Sequence, residues 1–388
     1  MQEPSEFELR KFVAPEFVFG IGARKLAGRY ATNFGARKVM VVTDPGVIAA
    51  GWAGDIIAAL KTAGVDHVVF SSVSGNPREK EVMDGAAIYL AQGCNTLLAI
   101  GGGSPMDCAK GIGIVTSNKR NILEFEGVDK VEVSSPPLIC VPTTAGTSAD
   151  LSQFAIITDS GKKLKIAIVS KMVVPDVALI DPQTTITMPP YLTACTGIDA
   201  LTHAIEAFVS TAHAPITDLH ALHAIRLIMT NLLPAINEPE NVTPRGRMML
   251  ASLEAGLAFS NASLGAVHAM AHSLGGLLDQ PHGECNAILL PHVIDANFDA
   301  APDRYEEVGK AMGVKAGTVD RAGIKAAILS GLNGLVGEAG VSFGLGRMGV
   351  RKQDIPLLAE RALNDPCIVT NPRLLRHRDI EAIYEKAL

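Results

Sequence analysis

The sequence predicts an α/β domain built on a parallel sheet, followed by an all-helical domain. Three observations carry this expectation: apolar strand-like runs alternate with helical periodicity in the first half, only helical periodicity follows about Asp181, and prolines cluster between the two. At 388 residues the chain exceeds one ordinary domain, so two are expected, 1–185 and 186–388.

In the first half, Lys38 to Thr43 (KVMVVT), Asp66 to Phe70 (DHVVF), Thr96 to Ile100 (TLLAI), Pro137 to Val141 (PLICV) and Val177 to Asp181 (VALID) read as strands. Helical spacing covers Trp52 to Ala63, Lys80 to Gln92 and a stretch from about Pro105. Strands apolar throughout are buried on both faces, which is the signature of a parallel sheet covered by helices. Pro182, Pro189 and Pro190 interrupt the pattern, and from Met188 onward the chain is rich in Ala, Leu and Met at helical spacing.

Composition narrows the function classes. Hydrophobic residues make up 48% and charged residues 19%, enough for large cores, and the net charge of -6 argues against a nucleic-acid partner. The polar start MQEPSEFELRKF is not a secretory signal, and no run reaches the roughly eighteen apolar residues of a membrane span. Six scattered cysteines read as free thiols, so a cytoplasmic location is expected.

LLAIGGGSPMDCAKGIGI reads as strand, triple glycine and helix. Gly101, Gly102 and Gly103 would let backbone N–H groups approach a pyrophosphate at a helix N-terminus. Ser104 is the expected N-cap, Pro105 the first helical residue and Asp107 the capping-box acid. After the earlier strand, Asp44 is placed to accept from an adenosine ribose and to repel a 2′-phosphate, which favours NAD over NADP. Thr143, Thr144 and Thr147, after the strand PLICV, form a second loop suited to a ligand crevice.

Asp199 and His203 lie four apart on a helix expected to open at Thr196, and His268 and His272 share the same spacing on another. His282 follows ten residues after His272, in an expected loop. Neutral imidazoles with one carboxylate suit Fe(II), Zn(II) or a similar ion, although spacing alone does not say which histidines bind. His213, His220 and His223 read as surface or structural residues, as do His67, His292 and His377.

Taken together, GGGSPMDCAK, PTTAGTSAD, MPPYLTACTGIDALTHAIEAF and HAMAHSLGGLLDQPHGECNAILLPH resemble the iron-containing, group III alcohol dehydrogenases across essentially the whole chain. The resemblance implies a dehydroquinate synthase-like fold with a Rossmann-like N-terminal half. It implies NAD and Fe(2+) as cofactors, with Zn(2+) or another divalent metal as the alternative ion. Asp199, His203, His268 and His282 match the family's metal ligands, and His272 matches a histidine beside nicotinamide and substrate, a candidate proton relay. Gly101, Gly102, Gly103 and Ser104 fall in the pyrophosphate loop, with Asp107 beside them among the expected cofactor-binding residues, Thr143, Thr144 and Thr147 in the second cofactor loop, and Lys165 at a ribose contact.

Phe154, Phe259 and Cys367 are implied to line the substrate pocket; diol-oxidising relatives can carry a polar side chain at the Phe154 position, which argues against a 1,2-diol. The N-terminal stretch FVAPEFVFG is implied to join two copies in a homodimer or higher homo-oligomer.

The expected function is therefore NAD(H)-dependent oxidation of a small primary alcohol, or reduction of its aldehyde, by metal-polarised hydride transfer. The alternatives within the superfamily are a glycerol dehydrogenase-like enzyme or a reductase of ω-functionalised aldehydes such as sulfoacetaldehyde or succinic semialdehyde. A regulatory protein that kept a dehydrogenase fold is the alternative of another class, opposed here by intact ligands and loop glycines.

Overall fold

A computed structural model describes residues 9–314, 320–341 and 344–388. The N-terminal half contains β1 (Glu16–Phe19), α1 (Ala27–Asn33), β2 (Lys38–Val42), α2 (Pro45–Ala49), α3 (Trp52–Thr62), β3 (Asp66–Phe70), α4 (Glu79–Ala91), β4 (Thr96–Gly101) and α5 (Gly103–Asn118). It continues through β5 (Gly127–Val128), β6 (Leu138–Pro142), β7 (Phe154–Asp159), β8 (Leu164–Val169) and β9 (Val177–Ile180). The C-terminal half holds α6 (Pro190–Val209), α7 (Pro215–Asn237), α8 (Val242–Ala262), α9 (Ala266–Leu278), α10 (His282–Asn297), α11 (Pro302–Ala311), α12 (Arg321–Glu338), α13 (Ile355–Asn364) and α14 (His377–Ala387).

The main sheet is wholly parallel, in the order β1-β9-β6-β4-β2-β3. Its central strands explain the apolar runs. Val39, Val41, Leu98, Ile100, Ile139 and Val141 pack into the core on one face with Ala27, Ile56 and Leu60 of α1 and α3. Met40, Val42, Leu97, Ala99, Leu138 and Cys140 pack into the core on the other with Val82, Ala86, Met106 and Ile112 of α4 and α5. Alternate residues thus serve two cores, and no polar face remains.

The carboxyl ends of β2, β4 and β6 lie side by side, and the strand order reverses between β2 and β4. A ligand crevice belongs at such a point in an open α/β sheet. Asp44, the triple glycine and the Thr143–Thr147 loop all emerge there.

A smaller sheet, β5-β8-β7, was missed by the sequence reading. FAIITD and LKIAIV form its antiparallel hairpin, with Phe154 opposite Val169 and Asp159 opposite Leu164. Two β-rich runs around SGKK carried that signal.

Two helix starts differ from expectation. α6 opens at Pro190, not Thr196, because a proline at the first helical position costs no hydrogen bond. His282 is the first residue of α10 rather than part of a loop. α7 is long and apolar enough to cross a membrane by length and composition, but its Ala221, Ile225, Ile228 and Leu232 are buried in the core shared with α6 and α8.

Candidate active site

A cleft of about 810 Å³ runs between the sheet's carboxyl edge and the helical half. Asp44, Gly102, Gly103 and Ser104 line it, as do Thr143, Thr144, Thr147 and Lys165. Its volume lies within the range of small-molecule and cofactor sites.

Where the loops after β4 and β6 meet the cleft, the glycines answer a packing demand. Gly101 has φ +152°, and a Cβ there would meet Pro105 Cγ at 2.6 Å. A Cβ on Gly103 would meet Thr147 Oγ1 at 2.8 Å, and one on Gly102 would meet Thr144 Cγ2 at 3.1 Å. The first loop therefore nests against the second, and Thr143 N donates to Gly101 O at 2.9 Å.

Ser104 is not the N-cap. Gly102 takes the extended cap conformation and the helix starts at Gly103, while Ser104 Oγ donates to Gly75 O at 2.8 Å. Asp107 consequently lies beyond the first turn and is no capping-box acid. It lines the cleft, accepts from the Ile156 amide, and burial raises its carboxyl to about 6 despite Lys110 and Lys165 nearby. Asp44 caps α2, its Oδ1 accepting from Val47 N at 2.9 Å, and also lines the cleft. Burial lowers the Lys165 ammonium pKa, with Cys285 and Asp107 opposing the shift.

At the other end, α6, α9 and α10 converge. Asp199, His203 and Glu206 lie at i, i+4 and i+7 on one face of α6; His268 and His272 share a face of α9; His282 and Asn286 share one of α10. Ligand atoms of Asp199, His268 and His282 all fall within 4.8 Å of one another. His268 Nε2 and His282 Nε2 lie 3.6 Å and 3.7 Å from Asp199 Oδ1. His203 flanks this trio: its Nδ1 is 3.9 Å from Asp199 Oδ2, and its ring is stacked between Phe259 and His268 at centroid distances of 4.3 Å and 4.4 Å.

The donor set fits a divalent ion. Nδ1 of His203, 3.9 Å from Asp199 Oδ2, is buried without a hydrogen-bond partner, an expensive arrangement in a dry site. Burial holds the His203 imidazole down to about 3 and His282 well below its usual value, so both offer neutral lone pairs. For His268, burial is outweighed by Asp199 and Glu206, which raise it to about 9. Two buried carboxylates thus demand positive charge at this point.

Sequence reasoning missed several residues around the cluster. Glu206 accepts from His268 Nδ1 at 2.7 Å, from Val267 N at 2.7 Å and from Gly265 N at 3.1 Å. It therefore orients the imidazole and caps α9 from another helix. A Cβ on Gly265 would meet Glu206 Oε1 at 2.9 Å, so the glycine leaves room for this close approach. Only the i+7 spacing from Asp199 hinted at Glu206. Buried Lys110 donates to Phe154 O at 2.6 Å and Ser152 O at 3.0 Å, fixing the start of β7 against α5.

His272 Nδ1 pairs with Asp365 Oδ2 at 2.8 Å, and its ring stacks on His282 at 5.2 Å between centroids. Burial opposes ionisation of Asp365, yet His272 and the Cys367 amide hold its carboxyl below the usual range. Phe154 and Phe259 face each other in the cleft at 5.9 Å. Cys367 does not join them: it is fully buried, its amide donates to Asp365 Oδ1 at 2.8 Å, and it is not part of the cleft wall, because the short helical turn at 366–370 points it inward. His213 pairs with Asp218, and His220 and His223 with Glu254, away from the cleft.

A crevice of this size ending on a carboxylate–imidazole cluster suits an enzyme that combines a dinucleotide with a metal ion. Comparison with known proteins agrees. The "Iron-containing alcohol dehydrogenase" family matches residues 14–182, and the "Fe-containing alcohol dehydrogenase family, C-terminal" matches residues 193–388. The chain is 38% identical over 371 residues to 1,3-propanediol dehydrogenase of Klebsiella pneumoniae, covering 95% of this chain and 96% of that protein. It is 35% identical over 377 residues to the NAD-dependent methanol dehydrogenase of Bacillus methanolicus, covering 97% and 99%.

A crystal structure of 1,3-propanediol oxidoreductase superposes with a TM-score of 0.95 at 37% identity, covering 98% of this chain and 100% of that one. The chain belongs to the iron-containing alcohol dehydrogenase family. It is an NAD-dependent alcohol dehydrogenase and aldehyde reductase acting on small alcohols or aldehydes, with a divalent metal.

Proposed function

We propose that the enzyme interconverts small, uncharged primary alcohols and their aldehydes, with Fe(2+) held by Asp199, His203, His268 and His282. The observation that carries the substrate class is the Phe154–Phe259 pair beside the His203 ring, in a cleft whose only Lys or Arg among the described residues is Lys165. Two phenyl faces suit an alkyl chain, and with Lys165 assigned to the cofactor ribose no cation is left for a sulfonate or carboxylate. That disfavours sulfoacetaldehyde and succinic semialdehyde.

When bound, the metal supplies Lewis acidity and the nicotinamide supplies hydride chemistry. The chain does the rest. Asp44 holds the adenosine ribose and selects NAD; Gly101, Gly102, Gly103, Ser104 and Asp107 border the pyrophosphate; Thr143, Thr144, Thr147 and Lys165 face the remainder of the cofactor. His272, with Nδ1 engaged by Asp365, has Nε2 available to exchange a proton with the reacting alcohol or a ribose hydroxyl. The division between halves falls at 185/186.

Among the described residues β1 pairs only with β9, and Phe17 and Phe19 are exposed beside its open edge, which suits pairing with a second copy. Six buried, unpaired thiols suit a reducing cytoplasm.

An aldehyde panel with NADH tests the substrate class. Short unbranched aldehydes are expected to give the highest kcat/KM; preference for sulfoacetaldehyde or succinic semialdehyde would overturn the proposal.

A further inference from the structure

A side-chain amide lies against Asp199, His268 and His282. Asn286 Nδ2 lies 2.6 Å from Asp199 Oδ1, 3.2 Å from His268 Nε2 and 3.3 Å from His282 Nε2. An amide nitrogen carries two hydrogens and partial positive charge, so it offers these atoms a weak form of what a metal offers. Asn286 follows His282 by one turn on α10, and the face that delivers the imidazole also delivers the amide.

The other end of the amide shows what this position costs. Asn286 is fully buried, and its Oδ1 has no hydrogen-bond partner. An orphaned buried carbonyl is unfavourable. Turning the amide over would aim that oxygen at the Asp199 carboxylate, which is worse. The ligand cluster therefore dictates the orientation, and the demand for positive charge there outweighs an unmet acceptor.

We propose that Asn286 competes with the divalent ion for Asp199, His268 and His282. It holds the ligand set assembled before loading, gives up its place on loading, and thereby sets the metal affinity. This rests on the ligand assignment proposed above. Asn286 is on this reading a positioning residue, acting through the ligands rather than on substrate.

The test is a titration of chelator-stripped protein with Zn2+ against a competing indicator dye. Asn286→Ala is expected to bind Zn2+ about tenfold more tightly, the worth of roughly one hydrogen bond to a charged group. Its Tm should fall more without Zn2+ than with it. Equal or weaker Zn2+ affinity in the folded variant overturns the proposal.

Crystal structures of the wild-type protein stripped of metal and loaded with Zn2+ decide the matter without any variant. Nδ2 should hydrogen-bond Asp199 Oδ1 only in the stripped form; the contact in both forms, or in neither, overturns the inference. His282→Ala separates the two claims. If it binds Zn2+ as the wild type does, the ligand assignment fails and takes this inference with it. If it loses Zn2+ while Asn286→Ala is unchanged, only the inference falls.

Discussion

Glu206 and His268 are joined by a hydrogen bond of 2.7 Å between two fully packed helices, and the same carboxylate receives the first backbone amides of α9. One side chain thus holds a proton of His268 on Nδ1, turns Nε2 toward Asp199 and caps the start of a helix. Glu206→Gln places an amide N–H against backbone N–H donors. Metal affinity should fall roughly 10–100-fold, as for other partners of metal-bound histidines, and Tm should fall with it. Metal content after dialysis and a thermal melt check this; unchanged values would mean that the contact is incidental.

Removing a ligand should be more severe. His268→Ala and His282→Ala are each expected to lose bound metal and turnover together. Elemental analysis of protein purified without oxygen, alongside NADH oxidation, reads both. Retention of metal and rate in either variant would remove that residue from the ligand set.

The His272–Asp365 pair should separate rate from metal. His272→Ala should keep the ion and lose roughly a hundredfold or more in kcat, the scale of general acid–base catalysis. Asp365→Asn, which leaves the imidazole without its carboxylate, should show a smaller loss and a displaced pH–rate profile. Full activity of His272→Ala between about pH 6 and 9 would eliminate the relay role.

Cofactor choice rests on one carboxylate. Asp44→Gly removes the negative charge from the cleft wall along with the α2 cap. The ratio of kcat/KM for NADP over NAD should rise about tenfold or more, because like-charge juxtaposition costs several kcal/mol. An unchanged ratio would assign Asp44 to capping alone.

Asp107 makes stability depend on pH. Its folded pKa is raised to about 6 by burial, above the ordinary carboxylate value of 3.8. A raised carboxyl favours the folded state when protonated, so this contribution is present at low pH and lost as pH climbs through about 6. Asp107→Asn lacks that ionisation, and its stability relative to wild type should improve by about 1 kcal/mol between pH 5 and 8. Denaturant melts at the two pH values measure the difference; a constant offset would show that Asp107 ionises freely.

Some of this architecture follows from the chain's local pattern. Val39 to Val42, Leu97 to Ile100 and Leu138 to Val141 are apolar at every position because both faces of each strand are buried, so a covered parallel sheet was legible. Asp199 and His203, and His268 and His272, were legible as helix-face pairs because the helical repeat brings i and i+4 together. Where a helix begins was less so: Ser104 has the chemistry of a cap, but the backbone of Gly102 takes that position first. The hairpin of Phe154–Asp159 and Leu164–Val169 carried a signal in its paired β-rich runs, but its place beside the main sheet did not.

Local sequence thus made most main-sheet strands, the glycine turn and the helix-face pairs legible, since each depends on neighbours within a few residues. Only tertiary structure decided what those residues do to one another. His268 and His272 are alike by spacing, but Glu206, 62 residues before one, and Asp365, 93 residues after the other, give them different partners. The same folding placed Asn286 among the ligands and turned Cys367 away from the cleft. A ring's orientation and a site's charge balance are set by groups remote in the chain, and no local pattern encodes which of those will meet.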